Sequence, residues 1–159
     1  QQREYIVGGP MNGQVYDGVL RGTNGNDVIV GTKRDDVIGA KTGDDTVCGQ
    51  GGDDLIYGDD GKDHVFAGNG QNLVFGNAGN DVIQAGNGRN FMFGNNGDDQ
   101  ITVGSGNNYV DGGSGTNTCT VGNGRNQVFR CQVNAMSGSQ QNASFMDGDN
   151  DDYNEGSED

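Results

Sequence analysis

Tryptophan is missing from this 159-residue chain, proline and histidine occur once each, and no apolar run approaches the roughly 20 residues that span a bilayer. Leu, Ile, Val and Phe together number only 30, too little apolar material for a conventional bundle, sandwich or doubly wound domain. Basic residues are scarce as well, 9 against 23 acidic, for a net charge of −14 that excludes nucleic acid as a natural partner. The single histidine, His64, has no Ser or Cys partner at a recognisable spacing. There is no H-E-x-x-H and no phosphate-binding glycine loop leading into a helical pattern, so we expect no enzyme. By composition alone the chain would be an acidic, unfolded polymer.

What is abundant points elsewhere. Glycine accounts for 32 residues, and 20 of the 23 acids are Asp, the carboxylate that tolerates tight turns, where hard cations such as calcium find oxygen ligands. From Gly22 to Phe129 the chain divides without insertion into twelve consecutive nonapeptides, the first starting at 22 and the last at 121. Position four is Gly in eleven of the twelve, Arg34 being the exception, and position six is always Asp or Asn. Position eight runs Ile29, Ile38, Val47, Ile56, Val65, Val74, Ile83, Met92, Ile101, Val110, Cys119, Val128, a thin and repetitive core.

Six residues rich in Gly, Asn and Asp suit a sharp turn, and three residues with an apolar middle suit a short strand. Two nonapeptides then complete one coil. Alternation along the strand sends position eight inward and positions seven and nine outward. Six such coils, stacked about 4.8 Å apart, make a rod of roughly 29 Å with two parallel sheets back to back.

The units GTNGNDVIV at 22–30 and GQGGDDLIY at 49–57 resemble the G-G-x-G-x-D-x-U-x calcium-binding repeat of RTX (haemolysin-type) proteins. The resemblance covers about two thirds of the chain. It implies an all-β fold, a parallel β-roll of about six two-nonapeptide coils. It also implies Ca2+ ions between loops one coil apart, held by position-six carboxylates and loop carbonyls. Carried over residue by residue, one loop column supplies Asp27, Asp45, Asp63, Asp81 and Asp99, and the other only Asp36 and Asp54. The second column departs from the family pattern from Asn72 onward, through Asn90, Asn108 and Asn126, and the first ends in Asn117. A neutral amide stack can hydrogen-bond along the rod without an ion, so we expect one calcium-loaded edge and one mostly amide-laddered edge.

The outward positions also divide the sheets. The sheet after the first column is mixed and mostly polar, with Thr46, His64, Gln100 and Thr118 at position seven. The other presents Leu55, Leu73 and Phe91 at position seven and Tyr57, Phe75 and Phe93 at position nine, a flat apolar surface. It is covered either by the chain's own flanks, residues 1–21 and 130–146, or by another subunit. The flanks read as an N-terminal and a C-terminal cap or pairing segment, with residues 13–21 a degenerate half-coil, and residues 147–159 as an acidic tail without order of its own. Within that tail Asp147, Asp149, Asp151 and Glu158 fall at EF-hand ligand positions, but Asp152 stands where the turn needs Gly. Asn142 heads a glycosylation acceptor.

Three cysteines suit a secreted protein with one bridge and a spare thiol. Cys48 and Cys119 lie about four coils apart, roughly 19 Å at sheet spacing, too far to pair. Cys119 and Cys131 are the candidate bridge, which leaves Cys48 outward as a free thiol or a link to another chain. The chain begins with Gln1 and not Met, which fits a mature exported product and equally a shortened chain, so we expect a secreted, extracellular location. Two functions of different class remain: a structural, self-associating fibre or matrix subunit, and a calcium-dependent module of a larger exported toxin, enzyme or adhesin. Ice binding ranks below both, because the Thr residues are scattered.

Overall fold

Short strands separated by Gly-, Asn- and Asp-rich turns stack in a single direction throughout. The computed structural model describes residues 4–7, 18–135 and 143–146, and among these there is no helix. Sixteen strands, β1 to β16 in chain order, form two eight-stranded sheets with every pairing parallel. The odd sheet holds β1 (Glu4–Val7), β3 (Asp27–Val30), β5 (Thr46–Cys48), β7 (His64–Gly68), β9 (Val82–Ala85), β11 (Gln100–Val103), β13 (Thr118–Val121) and β15 (Gln132–Ala135). The even sheet holds β2 (Val19–Arg21), β4 (Val37–Gly39), β6 (Leu55–Tyr57), β8 (Leu73–Ala78), β10 (Phe91–Asn96), β12 (Tyr109–Asp111), β14 (Asn126–Phe129) and β16 (Ala143–Met146). Successive strands alternate between sheets, so two nonapeptides make one turn of an all-β solenoid.

The register follows from the repeat. Ile29 pairs with Val47, Val47 with Val65, Val65 with Ile83 and Ile83 with Ile101, each one coil on. Position-eight side chains thus superpose down the axis, and each is at most 1 % exposed. Position one of the following unit lies two residues further along the strand and therefore faces inward too. There Ala40, Ala67, Val103 and Val121 thicken the core, a contribution the position-eight pattern did not reveal. Each buried Val or Ile contributes about 1.5–3 kcal/mol, the main apolar return available to so thin a rod.

Where they are described, the flanks continue the coil. β1 and β2 extend the sheets beyond β3 and β4, and β15 and β16 do so beyond β13 and β14. The step changes there: Cys119 pairs with Val133, 14 residues on, because the turn after β14 is shortened. Cys119 and Cys131 form a disulfide across this turn, with Cα atoms 5.6 Å apart, and Cys48 is free and half-buried. Val15, Tyr16, Asn142 and the whole of 147–159, including the EF-hand-like acids, lie outside the described residues.

Candidate metal centre

Every position-six side chain points into the rod beneath its own loop, and all twelve are at most 3 % exposed. The common reason is a backbone contact. One oxygen, Oδ1, accepts the N–H of the position-six residue in the coil before: Asp45 N–H donates to Asp63 Oδ1 at 2.9 Å, Asp63 N–H to Asp81 Oδ1 at 2.9 Å, Asp81 N–H to Asp99 Oδ1 at 2.8 Å. The ladder is the same in the Asn column, where Asn90 N–H donates to Asn108 Oδ1 at 2.9 Å. Either residue type can close this bond, which is why position six admits only Asp and Asn.

The two residue types differ at the second atom. In the first coil Asp27 and Asp36 have theirs satisfied by threonine: Thr23 N–H donates to Asp27 Oδ2 at 2.6 Å and Thr32 N–H to Asp36 Oδ2 at 2.7 Å, and both Thr hydroxyls add a bond. Further along, Oδ2 of Asp54, Asp63, Asp81 and Asp99 is buried without a hydrogen-bond partner among the described residues. Burial is the main reason their pKa values rise from the ordinary 3.8, to about 8 for Asp63, about 7 for Asp54 and Asp81 and about 6 for Asp99. The ladder N–H bonds pull the other way, and neighbouring carboxylates add to the rise, Asp81 and Asp45 on Asp63 for example. A buried carboxylate in this state needs a proton or a cation.

The loops are shaped for that need. At position four, Gly61 sits at φ +125°, and a Cβ there would run into the Gly43 carbonyl of the coil before. Position two is left-handed in most loops of the Asp column, at Lys41, Asp59, Asn77 and Asn95. Asn77 and Asp59 lock this geometry by a side-chain bond of 3.0 Å, and Asn95 and Asn77 by one of 2.9 Å. No three His, Cys, Asp or Glu side chains converge on one point among the described residues, so a cation held here takes its remaining ligands from loop carbonyls, as calcium readily does.

A model of the RTX calcium-binding nonapeptide repeat matches residues 21–56, 39–74, 67–101, 75–110 and 93–128. The chain belongs to the RTX calcium-binding repeat family. No curated protein matches it. As an RTX β-roll the chain binds calcium, and the orphaned carboxylate oxygens fit the ion: Asp54, Asp63, Asp81 and Asp99 would hold it together with loop carbonyls. When bound, calcium supplies the positive charge that neutralises the stacked acids and ties one loop to the next. Asp27 and Asp36, which the resemblance names as ligands with the other five acids, have both oxygens engaged by hydrogen bonds from Thr23 and Thr32. The signal was present in the sequence, as Thr at position two in the two loops at 22 and 31.

On the outer face of the even sheet the rings form a stack. Tyr57 and Phe75 lie 5.3 Å apart and nearly parallel, and Phe75 and Phe93 5.1 Å apart. The next position-nine residue is Asp111, which pairs with the Arg130 guanidinium, and Tyr109 leans across from position seven to carry the stack on to Phe129. Leu55 and Leu73 pair beside it, and Val37 and Phe91 remain exposed.

Proposed function

We propose that this calcium-binding β-roll is a structural, self-associating extracellular protein, a fibre or matrix subunit, and not an enzyme. The observation that carries the reading is the continuous strip of Leu55, Leu73, Tyr57, Phe75, Phe91 and Phe93. Stacked rings present a flat apolar surface of one coil spacing, the kind a soluble rod covers with another molecule. The described parts of the flanks extend the sheets in line and do not cross this strip, which favours a second copy as its cover. Extracellular calcium, abundant where cytosolic calcium is not, supports secretion. His64 is exposed, with the Phe66 ring edge-on beside it.

The alternative, a calcium-dependent module of a larger exported toxin, enzyme or adhesin, rests on the same loops and requires no self-association. Replacing Phe75 and Phe93 together by Ser leaves position eight and the loops untouched and separates the two. Light scattering at matched calcium should give monomer mass for the variant and a larger mass for the parent. Equal monomer masses would favour the module, and equal assembly of both would move the contact to the sheet ends, at β1 and β16.

A further inference from the structure

Asn117 shares its column with the aspartates and supplies an internal comparison. Its loop has the left-handed position two of its neighbours, at Gly113. Its Nδ2 donates to the Gly113 carbonyl at 3.2 Å, where a carboxylate would present an oxygen. The other column repeats this arrangement. Asn108 Nδ2 donates to Asn126 Oδ1 at 2.9 Å and to the carbonyls of Gly104 and Gly106 in its own loop, at 3.2 and 3.5 Å. Asn126 Nδ2 does the same with Gly122 and Gly124, at 3.0 and 3.4 Å. In Asn108 and Asn126 one amide nitrogen thus meets the carbonyls of positions two and four, whereas Oδ2 at the same place in Asp54, Asp63, Asp81 and Asp99 has no hydrogen-bond donor among the described residues.

Position one distinguishes the loops a second time. Before Asp54 and Asp63 it is glycine, and a Cβ would lie 2.6 Å from Asp54 Oδ2 at Gly49 and 2.7 Å from Asp63 Oδ2 at Gly58. Before Asn72, Asn90, Asn108 and Asn126 it is Ala67, Ala85, Val103 and Val121. Only Ala40 before Asp45 and Gly112 before Asn117 break the pairing.

We propose that positions one and six act together as a code for the metal beyond the first coil, where Thr23 and Thr32 already occupy Asp27 and Asp36: Gly with Asp opens a calcium seat, whereas Ala or Val with Asn fills the same seat with an amide nitrogen. The edge running from Asn72 to Asn126 is thereby closed in the absence of calcium. The inference rests on the RTX calcium assignment and adds which loops decline the ion.

Exchanging the pairs in the full chain tests it. Ala85→Gly/Asn90→Asp and Asp81→Asn are compared with the parent by equilibrium dialysis against calcium and by melting, once in saturating calcium and once after chelation. The double variant should bind at least one ion more than the parent and lose melting temperature only in chelator. Asp81→Asn should bind at least one ion fewer and melt above the parent in chelator, since its amide now supplies the missing donor. A double variant that melts like the parent in calcium yet binds no extra ion overturns the code, and so does an Asp81→Asn chain that melts below the parent in chelator. Should the double variant fail to fold, the Asp81→Asn arm decides alone. A parent chain that binds no calcium overturns the family-level assignment and this proposal with it, and is read before any variant is made.

Discussion

At the scale of single residues the protein turns on one atom, the second side-chain atom of position six. As an amide nitrogen it finds a carbonyl; as a carboxylate oxygen in Asp54, Asp63, Asp81 and Asp99 it finds no hydrogen-bond donor among the described residues. Burial raises these acids from 3.8 to between about 6 and about 8, and a raised carboxylate pKa has a defined linkage. Without calcium the folded chain holds protons that the unfolded chain releases at lower pH. The stability tied to those protons is complete below about pH 4 and is lost as pH rises through 6 to 8. Calcium competes with the same protons, so its affinity should climb over that window and its binding at pH 6 should release protons. Melting of the calcium-free chain should therefore move down in temperature from pH 5 to 8. A melting temperature that rises across that range would show that these four acids are not buried as free acids.

At the scale of loops and strands, much of the architecture was legible and some of it was not. The position-eight residues and the position-four glycines announced strand and turn, because a two-residue alternation and a left-handed turn leave direct marks on residue type. Position one did not announce itself. Its Ala and Val residues look like ordinary small residues until the turn closes and brings Val103 and Val121 into the core two residues past Ile101 and Cys119. The threonine closure of Asp27 and Asp36 was marked in the sequence only by Thr23 and Thr32 at position two; that their N–H groups reach the carboxylates is visible once the loops are folded. Beyond Phe129 the nonapeptide period is lost and its signal with it, although β15 and β16 continue both sheets; residues 13–21 keep the phase, and β2 lies at its strand positions.

Neighbouring glycines at this scale make a sharp test. Gly51 is not left-handed, and a Cβ there would meet only Lys33 atoms at 3.9 Å; Gly52, at φ +98°, would place its Cβ 2.5 Å from the Arg34 carbonyl. Gly51→Ala should hold or raise stability, by up to about 1 kcal/mol, through a less flexible unfolded chain. Gly52→Ala should cost more than about 1–2 kcal/mol from strain and collision. Thermal or denaturant melting at fixed calcium ranks them, and equal values would show that the Arg34 carbonyl yields to a methyl group at position 52.

At the scale of the whole molecule the chain carries −14 charges, and within the repeats two kinds of acid matter most. Position-five acids such as Asp44 and Asp53 are exposed and lend their Oδ1 to the next coil, at Lys62 N and Gln71 N. Mobile salt screens these well, since the screening length falls to about 3 Å at 1 M. The position-six acids are enclosed, and screening reaches them poorly; they need a cation lodged against carbonyls. Binding and folding then draw on the same free energy, so the chelated chain should loosen, with a weaker β-sheet signal and a lower melting temperature, and recover both with calcium. Sodium chloride at about 1 M should restore only part of the circular dichroism signal that millimolar calcium restores, because it quiets the surface acids alone. Magnesium should also fall short, since it surrenders its water reluctantly and asks for a tighter octahedron than loop carbonyls offer. If the chelated chain in high salt matched the calcium-loaded chain in spectrum and melting temperature, general charge repulsion would account for the whole calcium effect. The buried carboxylates would then be held as neutral acids and not as ligands.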